Sequence, residues 1–392
     1  MKKNISILGS TGSVGLTTID LIKQKSHNFK PYLFSANKNF KLICHQIIKY
    51  KPSFFIIEDL KTFLQVKKKF NSSKVKILHG FKSFNAKKKI DITISAIPGI
   101  DGLTPTLKLI RISKKILIAN KESIICGWNL ILREAKKNKT RIVPIDSEHY
   151  SILSAIKGKD IEDIKKIYIT ASGGPFLKFT KSQLMTVKPS MAIRHPKWKM
   201  GKKISVDSST LMNKILELIE AQKIFKLKDN KIDIVIHPEC LVHAIVCFKN
   251  GLTTLVYHET SMLIPIANAI FDEKLDIKNF QKYKNKKDEI KNLNLSFKKV
   301  DSKIFPIINL KKRINEYPST SIIINAANEV LVNQFLKKKL PFLAINKIIF
   351  SILRDKNYKK YAIRNPKNIN QIYSIDKWAR NVTYKLIENK YA

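Results

Sequence analysis

Residues 3–15, KNISILGSTGSVG, hold a short apolar run, Ile5–Leu8, and then three glycines, Gly9, Gly12 and Gly15. The run is too brief for the apolar core of a secretion signal. It reads instead as a buried β-strand. Glycines between a strand and a helix let the backbone approach a pyrophosphate, and the helix N-terminus behind them attracts its negative charge. The spacing is GxxGxxG rather than GxGxxG, so the loop alone also fits a plain strand–helix turn. The next hundred residues favour the dinucleotide loop. Leu16–Lys25 and Phe40–Tyr50 have helical spacing, while Pro31–Ser35, Ser53–Ile57, Val75–Leu78, Ile92–Ala96 and Ile116–Ala119 are short apolar runs between turn signals. Strands alternating with helices predict a Rossmann-like parallel sheet over residues 1–145 that takes a dinucleotide.

The pattern then changes. Ile164–Thr170, Ile232–Ile236, Ala244–Phe248 and Leu252–Tyr257 read as strands, the last two joined by a hairpin turn, and Ser209–Phe225 reads as one helix. Residues 146–277 are therefore expected to form a central mixed α/β catalytic domain. The next stretch is rich in Lys and Asn and has weak periodicity, so 278–318 is expected to be a connection. Ser321–Lys337, Phe342–Asp355 and Ile375–Asn389 predict a helical domain over 319–392. The fold class is α/β with a helical C-terminus.

Composition excludes little but bounds much. The chain has 392 residues, 74 Lys+Arg against 30 Asp+Glu, and a formal charge of +44. Such a charge suggests a nucleic-acid binder. Yet the lysines run through the whole chain rather than forming one patch, and no nucleic-acid motif is present, so a general drift of the surface towards lysine is the preferred reading and no specific nucleic-acid partner is expected. No long apolar segment predicts a membrane span. Four dispersed cysteines without a CxxC pair argue for free thiols and a cytoplasmic location.

The chemistry-bearing residues fall into three groups. At the end of the second strand, Asn37-Lys38-Asn39 offers a cation and no acid, which suits the 2′-phosphate of NADP, although Lys38 also reads as one more surface lysine. After the strand-like Arg141–Ile145 comes Asp146-Ser147-Glu148-His149. In extended backbone its two carboxylates share a face. They repel unless a cation lies between them, and oxygen donors without cysteine favour Mg²⁺ or Mn²⁺. A lone pair of this kind also fits a solvated loop. On the Ser209–Phe225 helix, Lys214 and Glu217 are three apart and share a face with Asn213, as a site or as a surface ion pair.

Taken with NKES (120–123), DSEH (146–149), SGGPF (172–176), RHPKWKMGKKISVDSSTLMNK (194–214) and NAANEV (325–330), the glycine loop makes the chain resemble the 1-deoxy-D-xylulose-5-phosphate reductoisomerases, in order and over nearly its whole length. The resemblance implies NADPH- and divalent-metal-dependent conversion of a phosphorylated ketose, with carbon-skeleton rearrangement before hydride transfer, by a homodimer joined through the central domain. It implies that Asp146, Glu148 and Glu217 hold the metal. Lys121, Ser147, Glu148, Ser172, His195, Ser208, Asn213, Lys214 and Glu217 contact substrate, with Lys121, Glu148 and His195 catalytic. Thr11, Gly12, Ser13, Val14, Asn37, Lys38, Asn39, Asn120, Glu122 and Gly201 contact NADPH. Glu148 is the first candidate for moving protons. Another NADP-dependent dehydrogenase sharing only the dinucleotide fold is the competing reading.

Asn37 stands where the family usually has glycine, and Asn tolerates left-handed backbone. Glu239 and Cys240 replace the usual amide and serine, and Met262-Leu-Ile264-Pro also departs from the pattern. His243 is equally a structural or a site residue. The span 173–201, bracketed by glycines and carrying Trp198, is expected to be a lid over the substrate, with a packed connection as its alternative.

Overall fold

The structure, a computed structural model, describes residues 2–86, 88–198, 200–277 and 294–391. It divides into two compact units. Residues 2–123, 129–150 and 262–277 form the first; 124–128, 151–261 and 294–391 form the second.

The first unit is built on seven parallel strands, β1 (Lys3–Leu8), β2 (Phe29–Ala36), β3 (Phe54–Ile57), β4 (Lys76–His79), β5 (Ile90–Ser95), β6 (Ser113–Ile118) and β7 (Arg141–Pro144), in the order β4-β3-β2-β1-β5-β6-β7. Helices cover both faces of such a sheet, so its strands are apolar almost throughout, as Ile5, Ile7, Leu33, Phe34, Phe55, Ile94 and Ile116 show by being fully buried. The strand order reverses between β1 and β5, the crevice where doubly wound sheets bind ligands.

Residues 262–277, read from sequence as part of the central domain, pack with this first unit. Phe271, at the end of the helix Leu263–Phe271, meets Phe29 edge-on at 5.6 Å. Lys115 on β6 donates to the helix-terminal carbonyl of Ala269 at 2.8 Å and pairs with Asp272 at 3.0 Å. A cation there satisfies orphan carbonyls and the negative end of the helix dipole. Burial lowers the pKa of Lys115, and Asp272 opposes the shift.

The second unit holds a mixed sheet, as expected. Its strands β8 (Ile164–Ala171), β9 (Ile232–Ile236), β10 (Val242–Phe248), β11 (Thr253–Tyr257) and β12 (Lys298–Lys299) lie in the order β11-β10-β8-β9-β12, with β8 and β9 parallel and the other pairs antiparallel. The strand β12 falls inside the expected connection, much of which (278–293) lies outside the described residues. Phe305, Ile307, Leu310 and Ile314 of that stretch are core residues. The helices Thr320–Leu336, Phe342–Ile352, Tyr358–Ala362 and Ile369–Tyr391 complete the unit. The last begins before Ile375 because Asn368 accepts from the Gln371 N–H as its cap. No described helix is long and apolar enough to cross a membrane, and all four cysteines are free.

The expected helix Ser209–Phe225 is two helices, Lys202–Ser209 and Met212–Phe225, broken at Leu211, whose φ of 66° is left-handed. Leu211 is buried, so its packing holds a backbone conformation that leucine disfavours.

Candidate active site

In the first unit, every proposed site residue comes after the C-terminal end of a parallel strand: the glycine loop after β1, Asn37–Asn39 after β2, Asn120–Glu122 after β6 and Asp146–Glu148 after β7. The glycine loop fits close backbone approach. A Cβ on Gly15 would lie 2.4 Å from the Gly9 carbonyl oxygen and 2.7 Å from Ser10 Cα, and Gly9 has φ of 80° with Ala96 beside it. Gly12 caps the helix Ser13–Gln24 with no side chain over its N-terminal N–H groups, leaving a bare cradle that suits a pyrophosphate. Asn37 is not among the residues with positive φ, so its replacement of glycine strains nothing. Asn39 caps the helix Phe40–Tyr50 through Leu42 N–H. Lys38 is 76% exposed and reaches Asp59 at 4.0 Å.

Asn120 is a brace as well as a candidate contact. Its amide donates to the carbonyls of Ile97 and Gly99, 2.5 and 3.0 Å, and to Glu122, while its oxygen caps the helix Lys121–Asn138 through Ser123 N–H at 2.7 Å. The next residue, Lys121, is buried and places Nζ 2.6 Å from Asp146 Oδ2. The extended backbone expected at DSEH does not form. Ser147–Ala155 is a helix, Asp146 lies just before it, and Glu148 is in its first turn. The helix start suits acids, since free N–H groups point at them. Ser147 Oγ donates to Glu148 Oε2 at 2.6 Å.

In the second unit, the helix Met212–Phe225 is buried on almost every side, so its charges need partners inside the protein. Glu217, 1% exposed, accepts from Lys214 Nζ at 2.7 Å and from the Asn213 amide. The i, i+3 pairing is the one expected. Ser172 comes just after β8, and the turn beyond it lies against Ser208: a Cβ on Gly174, at φ of 63°, would come 2.9 Å from the Ser208 carbonyl oxygen. Ser172 Oγ accepts from Gly174 N–H at 3.0 Å and meets His195 Nε2 at 2.9 Å. The Nδ1 of His195 accepts from the N–H groups of Lys197 and Trp198, so the neutral ring carries its proton on Nε2 and donates it to Ser172. Burial, then the Lys214 charge, push the His195 pKa down to about 4.

The expected lid is only partly a loop. Gly174–Phe176, Lys181–Met185 and Pro189–Ala192 are short helical turns, and Phe176, Leu184, Val187 and Ala192 are buried. Residues 193–198 and 200 are free of helix. Trp198 is half-buried, edge-on to His243 at 6.1 Å, and Gly201 has open space where a Cβ would stand. His258, whose ring lies flat on His243, is not among the residues singled out from sequence. One histidine beside a strand end carries no local signal.

Family profiles described as 1-deoxy-D-xylulose 5-phosphate reductoisomerase, its C-terminal domain, and DXP reductoisomerase C-terminal domain match residues 5–127, 142–225 and 258–382. A 1-deoxy-D-xylulose 5-phosphate reductoisomerase of Pelagibacter ubique is 43% identical over 383 residues, 95% of this chain and 97% of that protein. One from a Wolbachia of Drosophila simulans is 39% identical over 392 residues, covering 99% and 98%. A crystal structure of DOX-P reductoisomerase in complex with NADPH, fosmidomycin and magnesium is similar with a TM-score of 0.88 at 30% identity, covering 98% of each chain. The Zymomonas mobilis enzyme in complex with NADPH has a TM-score of 0.86 at 30% identity, covering 99% of this chain and all of its own.

Proposed function

The chain belongs to the 1-deoxy-D-xylulose 5-phosphate reductoisomerase family, and on that premise we propose which residues carry its NADPH- and divalent-metal-dependent conversion of 1-deoxy-D-xylulose 5-phosphate to 2-C-methyl-D-erythritol 4-phosphate. Asp146, Glu148 and Glu217 hold the ion; their all-oxygen chemistry fits Mg²⁺ or Mn²⁺. Thr11, Gly12, Ser13, Val14, Asn37, Lys38, Asn39, Asn120, Glu122 and Gly201 hold NADPH, a reading supported by the bare cradle at Gly9–Gly15. When bound, the ion supplies Lewis acidity to neighbouring substrate oxygens and NADPH supplies the hydride.

The protein's own groups do the rest. Lys214, Asn213, Ser208 and Ser172 bind the phosphorylated ketose, and His195, neutral and fixed in one tautomer, hydrogen-bonds through Ser172 or directly. Lys121 donates to the oxygen that gains negative charge during rearrangement. Glu148, held by Ser147, takes and returns the hydroxyl proton. Residues 193–198, with 200 and 201, cover the substrate, with Trp198 against it, and exclude water before rearrangement. The observation that carries this assignment is the buried Lys121–Asp146 pair at 2.6 Å, beside strand ends where doubly wound sheets do chemistry. The test is NADPH consumption by the purified protein with the phosphorylated ketose and Mg²⁺ or Mn²⁺. Absence of ketose-dependent consumption, or full activity in excess chelator, sinks the assignment.

A homodimer through the second unit is part of the proposal. Among the described residues β11 is an edge strand that exposes Leu255 and Tyr257, with Leu252 exposed just before it, which suits pairing with a second copy. Leu255→Lys should give a monomer by light scattering. A cytoplasmic location is proposed on the four free thiols.

A further inference from the structure

His258 has no assigned part in the reaction, yet it is built into a specific stack. Its ring is buried and lies over His243 with centroids 3.7 Å apart and planes 9° from parallel. Trp198 meets the same His243 ring edge-on, 6.1 Å away and at 82°. The three rings thus form a series: His258 behind, His243 between, Trp198 at the front.

The backbone is arranged to make this stack. Between β10 and β11, Val242 faces Tyr257 and Ala244 faces Val256, so the register slips at the residue between them, His243. A bulge of this kind turns a side chain away from the ordinary alternation of a strand, and such bulges gather beside active sites. His258 comes directly after β11, and its N–H donates to Leu241 O at 2.9 Å, which closes the ladder beyond the slip. His258 cannot turn away. Its Nδ1 donates to the Glu259 carbonyl at 2.8 Å, and its Nε2 then accepts from Ser151 Oγ at 3.4 Å. His243 is tied to the same residue, since its Nε2 donates to the His258 carbonyl at 3.2 Å. Burial holds the His258 pKa low, so this ring presents an uncharged face.

We propose that His258 is a positioning residue: it backs His243 face to face and so sets where Trp198 rests when the segment that carries it covers the substrate. This rests on the proposed lid. An aromatic series acts through contact, so the stacking face of His258 matters and its nitrogens serve to hold the ring in place. Small displacements of a covering side chain weaken substrate binding and leave distant cofactor contacts alone.

The experiment compares His258→Ala, His258→Phe, Trp198→Ala and the His258→Ala/Trp198→Ala double variant. Each is measured for KM and kcat with the phosphorylated ketose, for NADPH affinity, and for thermal midpoint. His258→Ala should raise KM roughly three- to tenfold, the effect one aromatic pair carries, with NADPH affinity unchanged. His258→Phe keeps a flat ring and should recover most of that loss even if its midpoint falls. The double variant should be no worse in KM than Trp198→Ala, because both changes act through one contact. An unchanged KM in His258→Ala, with a raised KM in Trp198→Ala, overturns the role of His258 and leaves the lid reading standing. Unchanged KM in both overturns the lid reading and this inference with it. Equal losses in His258→Ala and His258→Phe, or additive losses in the double variant, overturn the stack as the means of action.

Discussion

Acid is the perturbation that His195 should answer most directly. An unfolded chain's imidazole takes up its proton near pH 6.5. In the fold, burial and the Lys214 charge lower that value to about 4. Protonation would also set an N–H against the two N–H groups of Lys197 and Trp198 that now point at Nδ1. Between the two values the unfolded chain binds more protons than the folded one, so stability must fall as the pH drops through that window and be flat with respect to this group above it. A tenfold change in proton affinity is about 1.4 kcal/mol, which bounds the whole loss at about 3.5 kcal/mol. Partial exposure of the ring adds solvent screening and leaves roughly 1–2 kcal/mol. His195→Asn removes the titrating ring. Chemical denaturation of both proteins between about pH 7 and about pH 4.5 should show the wild type losing that much more than the variant. The ring-proton resonance of His195 should keep its neutral position throughout the neutral range. A midpoint for that resonance near 6.5, or equal acid slopes in the two proteins, would refute the reasoning.

Gly15→Ala places a methyl group 2.4 Å from the Gly9 carbonyl oxygen and should weaken NADPH on the order of tenfold or more, read by fluorescence titration; unaltered affinity would mean the loop moves freely. Asp146→Asn, Glu148→Gln and Glu217→Gln should each lower turnover on the order of a hundredfold or more, with NADPH affinity nearly intact. Loss of turnover and cofactor binding together would argue for damage to the fold. Lys38→Asp should weaken NADPH by about ten- to a hundredfold and NADH little, because only the former brings a 2′-phosphate; equal loss for both would show that Lys38 reads no phosphate.

Local rules made part of the fold legible. The glycine loop and the alternation after it predict the parallel sheet, and the three-residue spacing of Lys214 and Glu217 predicts their contact, which the helix makes at 2.7 Å. Other features depend on distant packing. The break at Leu211 has no glycine or proline to announce it; a buried leucine is held left-handed by its surroundings. The helix that starts at Ser147 competes with an equally plausible extended run, and its short length offers no periodicity. One local signal was there to be read. Thr180 and Gln183 form a capping box, a threonine three residues before a glutamine, and that pattern marks a helix inside the stretch expected to be a loop. The stacking of His258 on His243 was beyond reach, since a register slip depends on which strands pair.

The return of the helix Leu263–Phe271 to the first unit bears on synthesis. Phe29 and Lys115 leave the ribosome long before their partners Phe271 and Asp272. The ribosome must first make residues 151–261, which at about 5 to 20 residues per second takes roughly 5 to 20 seconds. During that interval the parallel sheet has its seven strands but one stretch of its surface stays open, with an ammonium group and an aromatic ring facing solvent. The nascent chain therefore waits in a half-closed state, and a chaperone that shields apolar surface has its longest opportunity there. Moving codons that slow translation into 151–261 should lengthen that wait and lower the yield of active enzyme without changing a single residue.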